Sequence, residues 1–432
     1  MRFISKFSIP FIILIVAWTS SNLQWGKNNW RYIIEADAKG YYDYLPAIFI
    51  YNDLNFGFHD SIEKKYADEH TYYEYRTAHN GKLINKYYCG TAIAEFPFFI
   101  VAHLITKMTD NPADGDSKLY PIFINIGSIV FLLLGLVYVR NLLRSYQTND
   151  SWIAFILVAL VFGTNLFYYA VCEPGLSHVY SFTFITMFVY YAKKYFITHR
   201  NKEIIYCALL LGIIILIRPV NGIILSALPF VAGSKEKLLA GFKVLAKEKT
   251  TLFLAALSCL GVISVQFIIY KIQCGEFFVY SYGGESFNWL QPHFLEFLLS
   301  YKKGFFVYTP LALLSLFGFY FLWKENRFGF YSLLVFSFFL IYVLSAWWNW
   351  WYGGSFSSRV MVDFYVFLAL LLGFLCKQIE NKIKIAFLSL ITFLIVCLCQ
   401  FQTYQYRYYL IHWEDMTKEK YWDVFLKLPE KK

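Results

Sequence analysis

Charged side chains are scarce in this chain. They make up 16% of its 432 residues, against 58% hydrophobic and 22% aromatic residues. With a mean hydropathy of +0.46, there is more apolar surface than a soluble core could hide, so lipid is the solvent. The eight cysteines form no Cys-x-x-Cys pair. Five of them (Cys207, Cys259, Cys376, Cys397, Cys399) lie in or at the ends of apolar runs, where a free thiol behaves as a small hydrophobe. Neither a disulfide framework nor a zinc cluster is indicated. No Walker A loop, Rossmann fingerprint, His-Glu-x-x-His or Gly-x-Ser-x-Gly element occurs, which removes nucleotide-driven pumping, zinc proteolysis and hydrolase chemistry. There is no convincing internal repeat, no low-complexity linker and no soluble domain.

What the chain does have is apolar runs of roughly 20 residues, the length that crosses a bilayer. They fall near 7–24, 119–139, 152–172, 175–195, 250–272, 304–323, 328–346, 360–376 and 383–401. A longer run, 204–232, is interrupted by Arg218-Pro219 and Asn221-Gly222 and reads as two short helices meeting at a turn. Arg2 and Lys6 place the N-terminus in the cytoplasm by the positive-inside rule. The basic clusters at 140–144, 193–202, 235–249, 324–327 and 377–384 then share that side, provided 204–232 is a hairpin and 91–108 does not cross. Glu95, Pro97 and His103 make 91–108 a better re-entrant or interfacial helix than a spanning one. If it does cross, several basic clusters move outside.

The expected fold is therefore an all-α polytopic membrane protein of about eleven spans. A membrane module covers 1–401, with a long outer first loop at 26–118, and an interfacial tail rich in Tyr, Trp and Lys covers 402–432. No Ala-x-Ala-like site follows Thr19-Ser20-Ser21, so the first run is expected to stay as a span. The net charge of +10 is spread between apolar runs, where it sets orientation; no nucleic-acid partner is expected.

The candidate chemistry starts in the outer loop. Glu35, Asp37 and Asp43 put three carboxylates beside the membrane, followed by Tyr41, Leu45, Ile48 and Phe49 at helical spacing to face lipid. Asp37 is the expected general base. Glu35 is a second carboxylate that tunes its neighbour or helps hold a divalent cation, Mg or Mn. Arg218 sits in the middle of a hydrophobic run, where a guanidinium costs about 2.5 to 3.5 kcal/mol unless it lines a polar cavity or meets an anion. Its fork suits phosphate. Lys302, Lys303 and Arg359 stand at the outer starts of spans, against the positive-inside pattern, as anion binders or headgroup anchors. His178 begins an outer span and could bond a phosphate or a sugar hydroxyl. Tyr42, Asp43 and Trp350, the last in a Trp-rich stretch beside Gly353-Gly354, complete the expected substrate contacts.

Several segments, in order, carry a resemblance: Glu35-Ala-Asp37-Ala-Lys39-Gly40-Tyr41-Tyr42, Gly90-Thr-Ala-Ile-Ala-Glu-Phe-Pro97, Leu176-Ser177-His178, Ile217-Arg218-Pro219, Lys303-Gly304-Phe-Phe-Val-Tyr308-Thr309-Pro310 and Gly353-Gly354-Ser-Phe-Ser-Ser-Arg359. In these the whole chain resembles the polytopic C-type glycosyltransferases (GT-C), the superfamily of protein mannosyltransferases and lipid A aminoarabinose transferases. The resemblance implies inverting transfer of a sugar from a polyprenyl-phosphate or polyprenyl-diphosphate donor. The acceptor would be a glycan, lipid or protein on the periplasmic face of a bacterial inner membrane. By the same resemblance Asp37 matches the acidic residue of the first outer loop. A double acid is absent, and the His-Pro-Pro or Lys-Pro-Pro of some relatives is replaced by Glu95-Phe96-Pro97. A flippase of lipid-linked saccharides and an O-antigen-type polymerase or ligase are the alternative readings.

Overall fold

A computed structural model describes residues 4–67 and 72–428; Arg2, half of the N-terminal orientation signal, lies outside them. Among the described residues, six helical segments are long and apolar enough to cross a membrane. They are α1 (Ile4–Gln24), α4 (Leu119–Ser145), α8 (Lys249–Cys274), α10 (Arg327–Ser345), the segment Arg359–Cys376, which opens as a 3-10 turn (Arg359–Phe364) before α11 (Tyr365–Cys376), and α12 (Lys382–Arg407). The remaining helices used below are α2 (Asp37–Tyr42), α3 (Gly90–Thr106), α5 (Asp150–Phe162), α6 (His178–Thr198), α7 (Asn201–Ile217) and α9 (Pro310–Glu325).

Six is fewer than the spans expected, because several apolar runs are interrupted. The run at 152–172 breaks after the 13 residues of α5, which rise only about 20 Å. At the break Thr164 turns its hydroxyl back onto the Leu160 carbonyl (2.6 Å) and Asn165 Nδ2 donates to the carbonyl of Phe356 (2.9 Å). α6 reaches 21 residues but carries Tyr, Ser, Thr and Lys, which make it less apolar than the six. The run at 204–232 ends its helix at Ile217, as the proline requires, and continues as a 3-10 stretch, Pro219–Ala227. The final span runs on to Arg407, so the tail begins later than 402. Tyr421 docks that tail against the bundle, its hydroxyl accepting from Gln402 Nε2 at 2.8 Å.

Lipid gives helices no hydrophobic reason to associate, so polar contacts and close packing must join them. Both ends of α1 show this. Ser5 Oγ donates to Asp150 at 2.5 Å, and Gln24 Nε2 donates to the carbonyls of Val171 and Cys172 at 3.2 and 2.9 Å. Elsewhere α7 packs between α6 and α8, and α9 lies on α11.

The loop at 26–118 is itself a packed unit. It contains α2, α3 and a two-stranded hairpin, β1 (Arg76–His79) and β2 (Lys82–Asn85), paired antiparallel. The all-α expectation missed this hairpin, although Asn80-Gly81, both at positive φ (49° and 75°), is the residue pair a type I′ turn requires. The lipid-facing stripe after Asp37 also needs correction: Tyr41 and Leu45 are buried in the core, and only Ile48 and Phe49 are exposed. The chain on either side of α3 comes together, because Lys65 and Tyr66 both bond Asp114 Oδ2, at 2.6 and 2.7 Å. Single cysteines at Asn55 and Asn111, in a cysteine-free variant, are therefore predicted to react with a membrane-impermeant maleimide from the same face. Labelling of one alone would place α3 across the bilayer.

Candidate functional site

The backbone aims Asp37 before any side chain does. Ala36 adopts φ 50° and ψ −127°, a region costly for a residue with a Cβ, and such strain collects at functional sites. The turn separates Glu35 from Asp37 and starts α2 with Asp37 facing the bundle. There Asp37 Oδ2 accepts from Arg359 Nη2 at 2.7 Å, and Oδ1 accepts from the hydroxyls of Tyr87 and Tyr73 at 2.6 and 2.9 Å. Burial alone would raise this carboxyl, but Arg359 and the two hydroxyls outweigh it and hold it down at about 2.

Helical phase decides which neighbours join. Tyr41, four residues on, shares the face of Asp37 and lies within the fields of Arg218 and Arg359. Tyr42 and Asp43 point elsewhere. The Tyr42 hydroxyl bonds the Gly115 carbonyl, and Asp43 is bonded by Tyr75 with His59 at 3.8 Å, so neither expected substrate contact is in the site.

Arg218 comes from the end of α7. The residue before Pro219 must leave the helical region, and Arg218 is extended (φ −150°, ψ 111°) at the end of α7. Its nearest polar neighbours are distant: Asp363 Oδ2 at 3.8 Å and His178 Nδ1 at 3.5 Å. Asp363 is fully buried and gathers this corner, accepting from His178 Nδ1 at 2.8 Å and from Asn221 Nδ2 at 2.8 Å. A carboxylate only accepts, so Nδ1 carries the proton and has no lone pair for Arg218. The guanidinium, 17% exposed, therefore keeps its donors largely unspent. Arg359, 13% exposed, uses Nη2 on Asp37 while its buried Nε has no partner.

Three other groups border the two arginines. Lys303 is buried, donates to the Ser355 carbonyl and lies 5.0 Å from the Tyr406 ring centre; burial pushes its ammonium down to about 7. Glu173, in the loop before α6, lies within the fields of Arg359, Glu35 and Lys303. Tyr352 faces Arg218 at 5.9 Å.

Of the expected residues, the structure brings together Asp37, Arg218, Arg359, His178 and Lys303, with Glu35 near Glu173. Lys302 does not join them: it pairs with Glu414 at 2.8 Å and covers the Trp351 ring at 3.7 Å. Trp350 is buried in its own loop against His293 and Trp351, and so offers no stacking face. Glu35 and Asp37 form no three-ligand group; among the described residues that geometry occurs at His59, Asp60 and Glu74, where Arg76 already bridges the two carboxylates. Sequence reasoning missed Asp363, Asn221 and Glu173. A carboxylate inside the run at 360–376 is a signal in its own right, eclipsed by Arg359 four residues earlier.

No family model matches the chain, and no match was found among curated proteins.

Removing Asp363 would leave Arg218 without its counter-charge and His178 and Asn221 without their acceptor. Asp363→Ala is predicted to destabilise the fold by about 3 to 5 kcal/mol, and Asp363→Asn by less, as read by thermal unfolding in detergent. An unchanged melting temperature for Asp363→Ala would contradict this corner.

Proposed function

We propose that the protein is an inverting glycosyltransferase that moves a sugar from a polyprenyl-phosphate or polyprenyl-diphosphate donor to a glycan, lipid or protein acceptor. The observation that carries this reading is the pair of half-sealed guanidiniums, Arg218 and Arg359, both with donors unspent. A guanidinium presents five N–H groups in a planar fork that matches phosphate oxygens. When the sugar–phosphate bond breaks, negative charge grows on the phosphate, and fixed cations in a low-dielectric cleft stabilise it more in the transition state than in the bound donor. Asp37 keeps Arg359 aimed, Asp363 does the same for Arg218, and Lys303, in its protonated form, adds a cation at the rim.

A lipid-borne donor is supported by what lies beside the cleft. An apolar crevice between α9, α10 and α11 is lined by Phe319, Phe336, Leu340 and Leu368, and it reaches Met361 and Phe364 on the same 3-10 turn that carries Arg359 and Asp363. In this proposal the chain has about eleven crossings, the N-terminus and basic clusters lie in the cytoplasm of a bacterial inner membrane, and the cleft opens to the periplasm. The broken helix at Arg218-Pro219 also suits a flippase of lipid-linked saccharides; sugar transfer in detergent, where no membrane separates two sides, distinguishes the two.

Purified protein supplied with a panel of polyprenyl-phosphate sugars is predicted to transfer one of them. Arg218→Ala should lower turnover by roughly 10²-fold or more. Arg218→Lys, which keeps the charge and loses the fork, should retain part of it. A folded Arg218→Ala variant with normal kinetics would make Arg218 a headgroup anchor and remove the phosphate site from this cleft.

A further inference from the structure

Asp37 and Asp363 both spend their oxygens on neighbours. Oδ1 of Asp37 takes two tyrosine hydroxyls and Oδ2 takes Arg359; Asp363 takes His178 and Asn221. Glu173 differs. Its Oε1 accepts from the Tyr168 hydroxyl at 2.8 Å, but Oε2 is buried with no partner. A buried acceptor left open is costly, and a hydroxyl brought to it would recover that cost.

The loop that carries Glu173 packs against the segment leading into α2. Gln24 fixes the two preceding carbonyls, those of Val171 and Cys172. Two residues further on, Gly175 meets the other loop so closely that a Cβ there would stand 2.7 Å from the Ile33 carbonyl oxygen and 2.9 Å from the Cβ of Ala38, the neighbour of Asp37. Glu173 as a residue is half-buried, while its Oε2 faces inward. The ionisable groups around it are Arg359 from the 3-10 turn, Lys303 from the loop before α9, Glu35 from the loop before α2, Tyr168, Tyr169 and Cys172 just before it in the chain, and Tyr406 and Tyr409 at the end of α12.

We infer that Glu173, in place of Asp37, takes the proton of the acceptor hydroxyl in the transfer proposed above, on which this assignment rests. A lone pair of the acceptor oxygen forms the new bond to the anomeric carbon. The O–H bond breaks with its proton passing to Glu173 Oε2, and the bond from the anomeric carbon to phosphate breaks with its electron pair leaving on the phosphate oxygen beside Arg218 and Arg359. No further reactant is needed. Burial pushes the Glu173 carboxyl up to about 7, close to the working pH that suits a proton acceptor. The carboxylate is the competent form, so turnover rises with pH through neutrality and is lost on the acid side. Asp37, held at about 2, would give no such limb between pH 5 and 8.

The test is the pH dependence of turnover with a polyprenyl-phosphate sugar, for wild type, Glu173→Gln, Asp37→Asn and Tyr168→Phe. Wild type should show the acid limb. Glu173→Gln should lose it together with at least about 10²-fold of turnover, and Asp37→Asn should keep the limb while its donor KM rises. Tyr168→Phe keeps the ring and removes a bond that favours the carboxylate, so its limb should move to higher pH. That shift decides the matter even if Glu173→Gln does not fold. A wild type that transfers no sugar from any donor would overturn the functional reading itself. An active wild type whose limb survives in Glu173→Gln, or stays in place in Tyr168→Phe, would overturn the Glu173 assignment alone.

Discussion

The ion pair between Asp37 and Arg359 is the contact on which the site depends. It joins the first loop to the start of the Arg359–Cys376 span, 322 residues later in the chain. An ion pair shielded from water is strong only when both partners are further hydrogen-bonded. Asp37 meets that condition through Tyr73 and Tyr87. Arg359 meets it only in part, since its Nε is buried without a partner. The asymmetry gives the site its character: the two aspartates are satisfied and the two arginines are not. Arg218 repeats it, with a fully buried Asp363 held by His178 and Asn221 while the guanidinium stands 3.8 Å from Asp363 Oδ2.

The surrounding architecture explains how such a cluster of charges survives next to lipid. Charges at membrane depth must be paired or line a polar cavity, and here each arginine is matched by one carboxylate on a different element. Helix breaks supply the geometry. The prolyl residue after Arg218, the left-handed Ser357 (φ 59°) just before Arg359, and the strained Ala36 before Asp37 each interrupt regular structure where a charged side chain is presented.

Much of this was legible in the sequence, for physical reasons that also set the limits. Length and hydropathy mark α1, α4, α8, α10, the Arg359–Cys376 span and α12, because a bilayer demands long uninterrupted apolar helices. They fail at 152–172, where Thr164 and Asn165 carry polar bonds to partners that composition does not reveal. In the site, Arg218 and Arg359 stand out as charges in the wrong place. Tyr42 and Asp43 were misassigned because their direction depends on helical phase, and phase depends on where α2 begins, which the backbone at Ala36 decides. Lys302 and Lys303 are adjacent in sequence yet face opposite ways, one toward Glu414 and one toward Ser355. The central role of Asp363 depends on partners 142 and 185 residues away.

The claim that everything else rests on is that Arg218 and Arg359 together form a site for a lipid-borne phosphate. The most direct test is equilibrium binding of a polyprenyl phosphate and of the matching polyprenol, identical in chain and lacking only the phosphate, to the purified protein. A charge-assisted bond to phosphate is worth about 1.5 to 3 kcal/mol, so the phosphate should bind at least about tenfold more tightly. That preference should shrink when Arg218 or Arg359 is replaced by alanine. Equal affinity for the phosphate and the alcohol in the unaltered protein would contradict the account.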